Sequence, residues 1–170
     1  MPKAFLTGLA MFCTLGACLQ AQAKEARNDG HSWVYYGNPR FQYHICYPKD
    51  LLTAQPEPEN GDGRRFTGKD GAELAVWGSN NALDSNLKQT IEDAGKRLAG
   101  PSGKVTYRAM HAKWAVVSGE NGSGLFYAKI FYNRKADQFK DFEMTYDKSQ
   151  AALYNPIVSR ISGCFADLDK

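Results

Sequence analysis

The sequence has few of the side chains that most catalytic sites use. It contains four cysteines and three histidines, and none of the histidines (His31, His44 and His111) has a second metal ligand at helical or Cys-x-x-Cys spacing. The glycine patterns of phosphate sites and the Gly-x-Ser-x-Gly pattern of serine hydrolases are both missing. We therefore predict no catalytic residue, no metal ligand and no cofactor, and an enzyme with a cryptic site stays an alternative.

The sequence also lacks a hydrophobic run long enough to span a membrane. The best candidate, Ala4 to Cys18, is uncharged but shorter than the roughly 20 residues that a transmembrane helix needs. Lys3 precedes it, and Ala21-Gln22-Ala23 follows it with the small-x-small pattern at which signal peptidase cuts. Residues 1–23 are therefore predicted to be an export signal, followed by a flexible segment over 24–32.

The same segment also resembles a lipoprotein signal. Leu15-Gly16-Ala17-Cys18 is similar to the bacterial lipobox, in which cleavage precedes a cysteine that carries the lipid. Cys18 would then be lipidated, and Leu19 to Asn28 would be a polar tether. Either cut predicts an exported protein, periplasmic or anchored to a membrane and facing the periplasm.

The overall charge of the chain is small. The net charge is +3, with 43% hydrophobic and 23% charged residues, which are ordinary values for a globular domain. There is no acidic tail and no basic run with interleaved aromatic residues, so a nucleic-acid partner is not predicted. The membrane is expected as a partner only through an N-terminal lipid anchor, and the oligomeric state stays open.

The centre of the domain is a predicted three-stranded meander, Lys113 to Tyr146. Its β-branched and aromatic residues alternate with a period of two, which is typical of strands. The middle strand has apolar residues on both faces, with Leu125, Tyr127 and Phe131 on one and Phe126, Ala128, Ile130 and Tyr132 on the other. Such a strand is usually covered on both sides, so we expect a layer over each face of the sheet.

Two amphipathic helices are the predicted covers. Leu87, Ile91, Ala94 and Leu98 form one apolar stripe of a helix that Asp84 or Ser85 can cap and that ends at Gly100-Pro101. The second begins near Ser149, and Pro156 predicts either a kink or a short turn followed by a helix from Pro156. Further strands are predicted around 31–36, 41–47, 65–67, 72–78 and 105–110, with a long irregular stretch from Leu51 to Arg65.

Two cysteines remain if the signal is cut after Ala23. In an oxidising compartment Cys46 and Cys164 can form a disulfide, but two reduced, buried thiols are an equal alternative. A nucleophilic Cys46 assisted by His44 is disfavoured, because no third residue is available to orient the histidine.

One loop is the candidate partner-binding surface. Long segments without regular structure are uncommon in compact domains and often functional. In the stretch from Glu57 to Arg65 the candidate binding residues are Glu57, Glu59, Asp62, Arg64 and Arg65. The alternative is a surface loop held by its own salt bridges.

The order of the elements resembles the PsbP-like family, which includes photosystem II extrinsic proteins and bacterial DcrB-type periplasmic proteins. The similar segments are Phe41-x-Tyr43-x-Ile45-x-Tyr47-Pro48 and Ala152-Leu153-Tyr154-Asn155-Pro156-Ile157-Val158, and the resemblance spans about residues 33–166. It implies a single α+β domain with a central antiparallel sheet between two helices, and a non-enzymatic role in binding or assembly.

These observations lead to three functional hypotheses. The first is a non-enzymatic binding or accessory protein of the bacterial envelope, whose partner is another envelope protein or a small ligand. The second is an adaptor or immunity protein that binds a secreted effector. The third, an enzyme with a cryptic site, requires a deep pocket with several perturbed titratable groups.

Overall fold

The computed structural model of the protein describes residues 29–169, so the predicted export signal and Cys18 lie outside the described residues. The strands are β1 (Trp33–Asn38), β2 (Tyr43–Pro48), β3 (Leu52–Ala54), β4 (Gly63–Gly68), β5 (Glu73–Asn80), β6 (Lys104–Met110), β7 (Trp114–Asn121), β8 (Gly124–Asn133), β9 (Gln138–Asp147) and β10 (Ala166–Asp167). The helices are α1 (Leu87–Ala99), a 3₁₀ turn (Lys148–Gln150) and α2 (Ala151–Cys164).

A seven-stranded antiparallel sheet organises the domain, in the order β3-β4-β5-β9-β8-β7-β6. The predicted meander forms its β7-β8-β9 part, with the tight turn at Gly122 in the left-handed region. Because β9 pairs with β5, the meander joins the earlier hairpins side by side. A second, three-stranded sheet, β1-β2-β10, lies over the large one.

The two faces of β8 are covered by different layers, as its apolar pattern predicts. On the α1 face, Phe126, Ala128 and Ile130 pack with Leu87 and Ile91 of the helix. On the opposite α2 face, a larger aromatic cluster joins the two sheets and α2; its buried members include Tyr36, Tyr43, Phe66, Phe142, Tyr154, Ile161 and Phe165. The prediction that each face of this strand is covered is confirmed.

The helix α1 covers only part of its face. It packs on β6, β7 and β8, where the lack of a side chain at Gly95 lets it approach closely. A Cβ at that glycine would lie 3.0 Å from Val117 Cγ2 and 3.2 Å from Val105 Cγ2. The strands β4 and β5 are left without a helix on this face, and this opening holds the candidate site.

Three local predictions need correction. The cap of α1 is Asn86, not Asp84 or Ser85, since its side chain accepts from Gln89 N–H and completes a capping box. The stretch from Leu51 to Arg65 is not wholly irregular: Leu52–Ala54 is a strand, and β4 begins at Gly63.

The third correction concerns the last helix. α2 runs through Pro156 without interruption, preceded by the 3₁₀ turn. Pro156 lies on the exposed side of the helix, so water can satisfy the carbonyl that its missing N–H leaves unbonded. Tyr154, Ile157 and Ile161 form the buried side. Within residues 29–169, neither helix has the length and apolar character to cross a membrane.

The α2 face contains a buried lysine. Lys140 of β9 is fully buried and makes ion pairs with Asp167 and Asp169 of the C-terminal segment, the second at 2.6 Å. Its ammonium also donates to Gln42 O at 3.4 Å. A buried charge is tolerated when partners of opposite sign satisfy it, so these carboxylates hold the chain end against the sheet.

Candidate functional site

A cleft of about 790 Å³ opens on the part of the α1 face that α1 leaves bare. Its floor is formed by β5 and β9, with Ala75, Trp77 and Thr145 among the lining residues. The C-terminal turn of α1 supplies one wall through Arg97 and Leu98. The opposite wall is the proline-containing loop 55–62, so three separate segments of the chain build the cleft.

Hydrogen bonds hold the loop wall in place at both ends. At its start, Gln55 N–H donates to Arg65 O at 2.8 Å, and Arg64 Nε–H donates to Gln55 O at 2.7 Å. At its end, the Asn38 amide donates to Gly61 O at 3.0 Å. Gly61 itself has φ +60°, a backbone conformation that favours glycine. Hydrogen bonds to main-chain atoms at both ends therefore fix the loop, and the cleft is preformed.

Three arginine–glutamate pairs surround the cleft. Arg64 lies 3.6 Å from Glu57, and Arg65 bonds to Glu73.

The third pair closes the helix side. Arg97 of α1 makes a two-pronged contact with Glu143 of β9, in which Nη1 lies 3.1 Å from Oε2. The hydrogen bond to Glu143 raises the pKa of the Arg97 guanidinium. With every arginine balanced by a glutamate, the walls present polar donors without a strong net charge.

An acidic side chain is buried near this pair. Asp141 is 4% exposed and lies beside Trp77 in the cross-strand register, on the same face as Glu143. Burial raises the pKa of its carboxyl well above the ordinary value, the charge of Glu143 adds to that rise, and Arg97 opposes it. Asp141 does not line the cleft, so a ligand would not touch it.

The structure brings only part of the predicted binding residues to the cleft. Asp62, Arg64 and Arg65 line it. Glu57 makes an ion pair with Arg64 but does not itself line the cleft. Glu59 is exposed and does not line the cleft either. That these residues bind a partner stays a prediction.

Sequence reasoning missed the other half of the site. The sequence pattern places Trp77 on a strand, and it does not distinguish Arg97 or Glu143 from other charged residues. The one signal in the sequence is the alternation of side chains along β9, which places Glu143 on the same face of the sheet as the apolar Phe139. Nothing in the sequence gives the β5–β9 register that brings Glu143 level with Ala75.

The predicted disulfide residues meet on the other side of the domain. A disulfide joins Cys46 of β2 to Cys164 at the end of α2, with the Cα atoms 5.8 Å apart. Because the sulfur of Cys46 is bonded, it is not a free nucleophile for His44 to activate. The bond lies just before the segment whose carboxylates contact Lys140.

The three histidines lie far apart in the fold and have other neighbours. His31 Nδ1 lies 2.7 Å from Asp50 Oδ2, His44 packs edge-on against Tyr35, and His111 stacks on Trp114 at 3.9 Å. Across the described part of the chain, no group of three His, Cys, Asp or Glu side chains is placed to hold a metal ion.

Comparisons with known proteins identify the fold. No protein-family model matches the chain, and no curated protein sequence matches it. Among solved structures, cyanobacterial PsbP (CyanoP) from Synechocystis sp. PCC 6803 superposes with a TM-score of 0.60 at 14% identity, covering 90% of this chain and 98% of that one.

A second solved structure has the same architecture. The Ran-binding protein Mog1p of Saccharomyces cerevisiae superposes with a TM-score of 0.56 at 9% identity, covering 82% of this chain and 97% of that one. Identities this low show the fold alone. The chain is a single α+β domain with the PsbP-like fold.

Proposed function

We propose that the protein is an exported, non-enzymatic binding protein of the bacterial envelope, and that the cleft is its binding site. The observation that carries the proposal is the preformed opening of about 790 Å³. This volume lies within the roughly 300–1,000 Å³ typical of ligand sites. One structural neighbour, Mog1p, is itself named as a binding protein, which supports a binding role by analogy of fold only.

The lining of the cleft supports binding more than catalysis. Among the described residues that line it, none is a histidine or a cysteine, and Thr145 is the one hydroxyl side chain. The glutamates Glu73 and Glu143 are engaged by arginines, so neither is placed as a free general base. A tryptophan beside arginines is instead typical of the interface positions that dominate binding energy.

The shape and chemistry of the cleft favour an occupant with an apolar body and polar ends. Ala75, Trp77 and Leu98 offer the apolar surface, while Arg65 and Arg97 retain N–H groups beyond those bound to their glutamates. A side chain or a short peptide segment of another envelope protein has this character, and so has a small amphipathic ligand.

Export is supported by the N-terminal sequence and by the disulfide. Disulfides persist mainly in oxidising compartments, and Cys46 is bonded to Cys164. The test is the intact mass of the mature protein from soluble and membrane fractions. A mass starting at Lys24 in the soluble fraction supports the periplasmic form, and one starting at an acylated Cys18 supports the lipoprotein. An uncut chain in the cytoplasm would contradict the proposal.

The cleft is tested by photo-crosslinking in the native cell. A photoreactive phenylalanine analogue replaces Arg65 or Leu98 at the cleft and, as a control, Lys135 in the exposed β8–β9 turn. We expect one discrete adduct from both cleft positions, none from the control, and loss of the adduct when Trp77→Ala is added. Equal adducts at Lys135, or adducts that survive Trp77→Ala, would overturn the assignment.

The adduct also distinguishes the hypotheses. A protein adduct supports an envelope-protein partner, and if that protein is a secreted effector, the adaptor or immunity role replaces the accessory one. A small mass increase supports a small ligand.

A further inference from the structure

The edge of the large sheet offers a surface separate from the cleft. Among residues 29–169, the last strand of the large sheet, β6, pairs only with β7 and is seven residues long, whereas the opposite edge strand, β3, has three. His111 N–H donates to Trp114 O at 2.8 Å. Since hydrogen-bonded and free positions alternate in an antiparallel ladder, the backbone groups of Arg108 and Met110 point away from β7.

The charges along this edge are all of one sign. Between Asp93 and Glu120 the sequence contains five lysines and arginines and no acidic residue. Two of the five, Lys96 and Arg97, contact Asp93 and Glu143.

The remaining three basic residues belong to β6 and to the turn that follows it. Within residues 29–169, Lys104, Arg108 and Lys113 form no ion pair within 4.0 Å. Glu120, the acidic residue opposite Lys104 in the register, is bonded to Lys148 at 2.9 Å. The one carboxylate of Glu120 is therefore shared between Lys104 and Lys148, and the edge keeps a net positive charge.

Apolar side chains are exposed on both sides of the strand. Tyr107 is 55% exposed and faces the α2 side with Ser118, and Met110 is 51% exposed and faces the α1 side with Ala115. A strand added at β6 would cover Tyr107 on the α2 face and Met110 on the α1 face. Such additions gain affinity from main-chain hydrogen bonds and specificity from alternate side chains.

We propose that β6 docks an extended, acidic segment of a partner protein as an additional strand of the sheet. Basic side chains on an edge strand discourage pairing with a second copy of the same edge, because Lys104 and Arg108 would face like charges. The same side chains attract an acidic strand. The proposal is independent of the cleft, since β6 lines no part of it.

The test uses a synthetic ten-residue peptide of alternating glutamate and valine, with blocked ends, and a matched lysine–valine peptide. We expect the acidic peptide to slow hydrogen exchange at the Arg108 and Met110 amides, with smaller changes along β7. Added salt should weaken the effect, because screening shortens the reach of exposed charges. The basic peptide should have no effect.

Two variants test the backbone and the charge separately. Met110→Pro removes an N–H that points away from β7 and keeps both the existing ladder and the charge of the edge. Lys104→Glu with Arg108→Glu reverses the edge charge. We expect each to raise the dissociation constant about tenfold or more, whereas Arg134→Glu, in the β8–β9 turn, should leave it unchanged. Unaltered exchange in β8 and β9 shows that each variant is folded.

Three outcomes would overturn the proposal: no protection at Arg108 and Met110, equal binding of the two peptides, or unchanged affinity in the charge-reversed protein. Binding of single-stranded RNA or of phosphatidylglycerol vesicles without amide protection would make β6 a general polyanion surface rather than a strand-docking edge.

Discussion

Lys140 and Asp141 are consecutive residues of β9, and both side chains are buried. They lie on opposite faces of the sheet and have different partners. On the α2 face, Lys140 is fully buried and meets two carboxylates, Asp167 and Asp169. On the α1 face, Asp141 is almost as buried, but Arg97, whose charge opposes the rise in its pKa, is bonded to another carboxylate. On the α2 face the buried side chain is paired with opposite charges, and on the α1 face burial raises the pKa of the Asp141 carboxyl.

The difference reflects how each face is closed. The α2 face is sealed by a second sheet, a helix, a disulfide and ion pairs that join residues distant in the sequence. The α1 face has a single helix over half of the sheet, and the cleft occupies the rest. The disulfide and the buried lysine are therefore on the α2 face, and the cleft is on the α1 face. The following predictions test this division.

The largest loss of stability is expected from removing the disulfide. Cys46 and Cys164 are separated by 118 residues. On the chain-entropy model, closing so long a loop stabilises the folded state by about 4–5 kcal/mol at most. Urea unfolding of Cys46→Ala with Cys164→Ala should show a loss of about 2–5 kcal/mol. Reductant should weaken the wild type and leave the variant unaffected; a wild type insensitive to reductant would contradict the prediction.

The carboxylates that pair with Lys140 should come next. Asp167→Asn with Asp169→Asn leaves a buried ammonium without counter-charge, which we expect to cost about 3 kcal/mol in urea unfolding. Adding Lys140→Met should recover most of the loss, since no charge then remains buried. Asp93→Asn, at an exposed position, is the control. If the triple variant is no more stable than the double one, burial of the charge is not the cause.

The α1 face is tested by the pH dependence of Asp141→Asn. The folded-state pKa of Asp141 lies above its ordinary value of 3.8, so the folded protein binds the proton more tightly than the unfolded chain. Stability should therefore fall as pH rises from 3.8 through the folded-state pKa. The asparagine variant lacks this contribution, so it should be more stable than the wild type at neutral pH.

The comparison at acidic pH is the internal control for Asp141. Below pH 3.8 the carboxyl is protonated in both states, and the difference between variant and wild type should disappear. A difference that stays constant across the whole pH range would show that packing, and not ionisation, distinguishes the two proteins.

The smallest effect is expected at Lys129, on the α2 face of β8. Its ammonium donates to Ser162 O at 2.7 Å, a carbonyl in the last turn of α2, where a positive charge is favourable. Burial lowers the pKa of Lys129. Lys129→Met keeps the apolar stem, so the loss in urea unfolding should be about 0.5–1 kcal/mol. Lys135→Met is the matched control and should cost nothing measurable.

Local patterns predicted the elements better than the contacts between them. The alternation of Phe126 and Tyr127 gave both faces of β8, and the stripe that contains Ile91 gave α1. The cap was misplaced because Asp84, Ser85 and Asn86 are all good capping residues, and only the geometry of the backbone distinguishes them.

Contacts between distant segments carry no comparable signal. The two-residue strand β10 is too short to have a periodicity, and it forms because it pairs with the edge of β2. The cleft is likewise not predicted by local patterns. Its loop was recognisable from prolines and glycines, but the meeting of Trp77, Arg97 and Glu143 depends on the register of β5 with β9 and on the position of α1.

The pairing of β5 with β9 has a kinetic consequence. Glu73 pairs with Thr145 and Asn80 with Gln138, so α1 and three complete strands are synthesised before β5 can pair with β9. Contacts between residues so far apart in sequence slow folding. The β3-β4-β5 part of the sheet therefore joins the meander late in folding, once β9 is available.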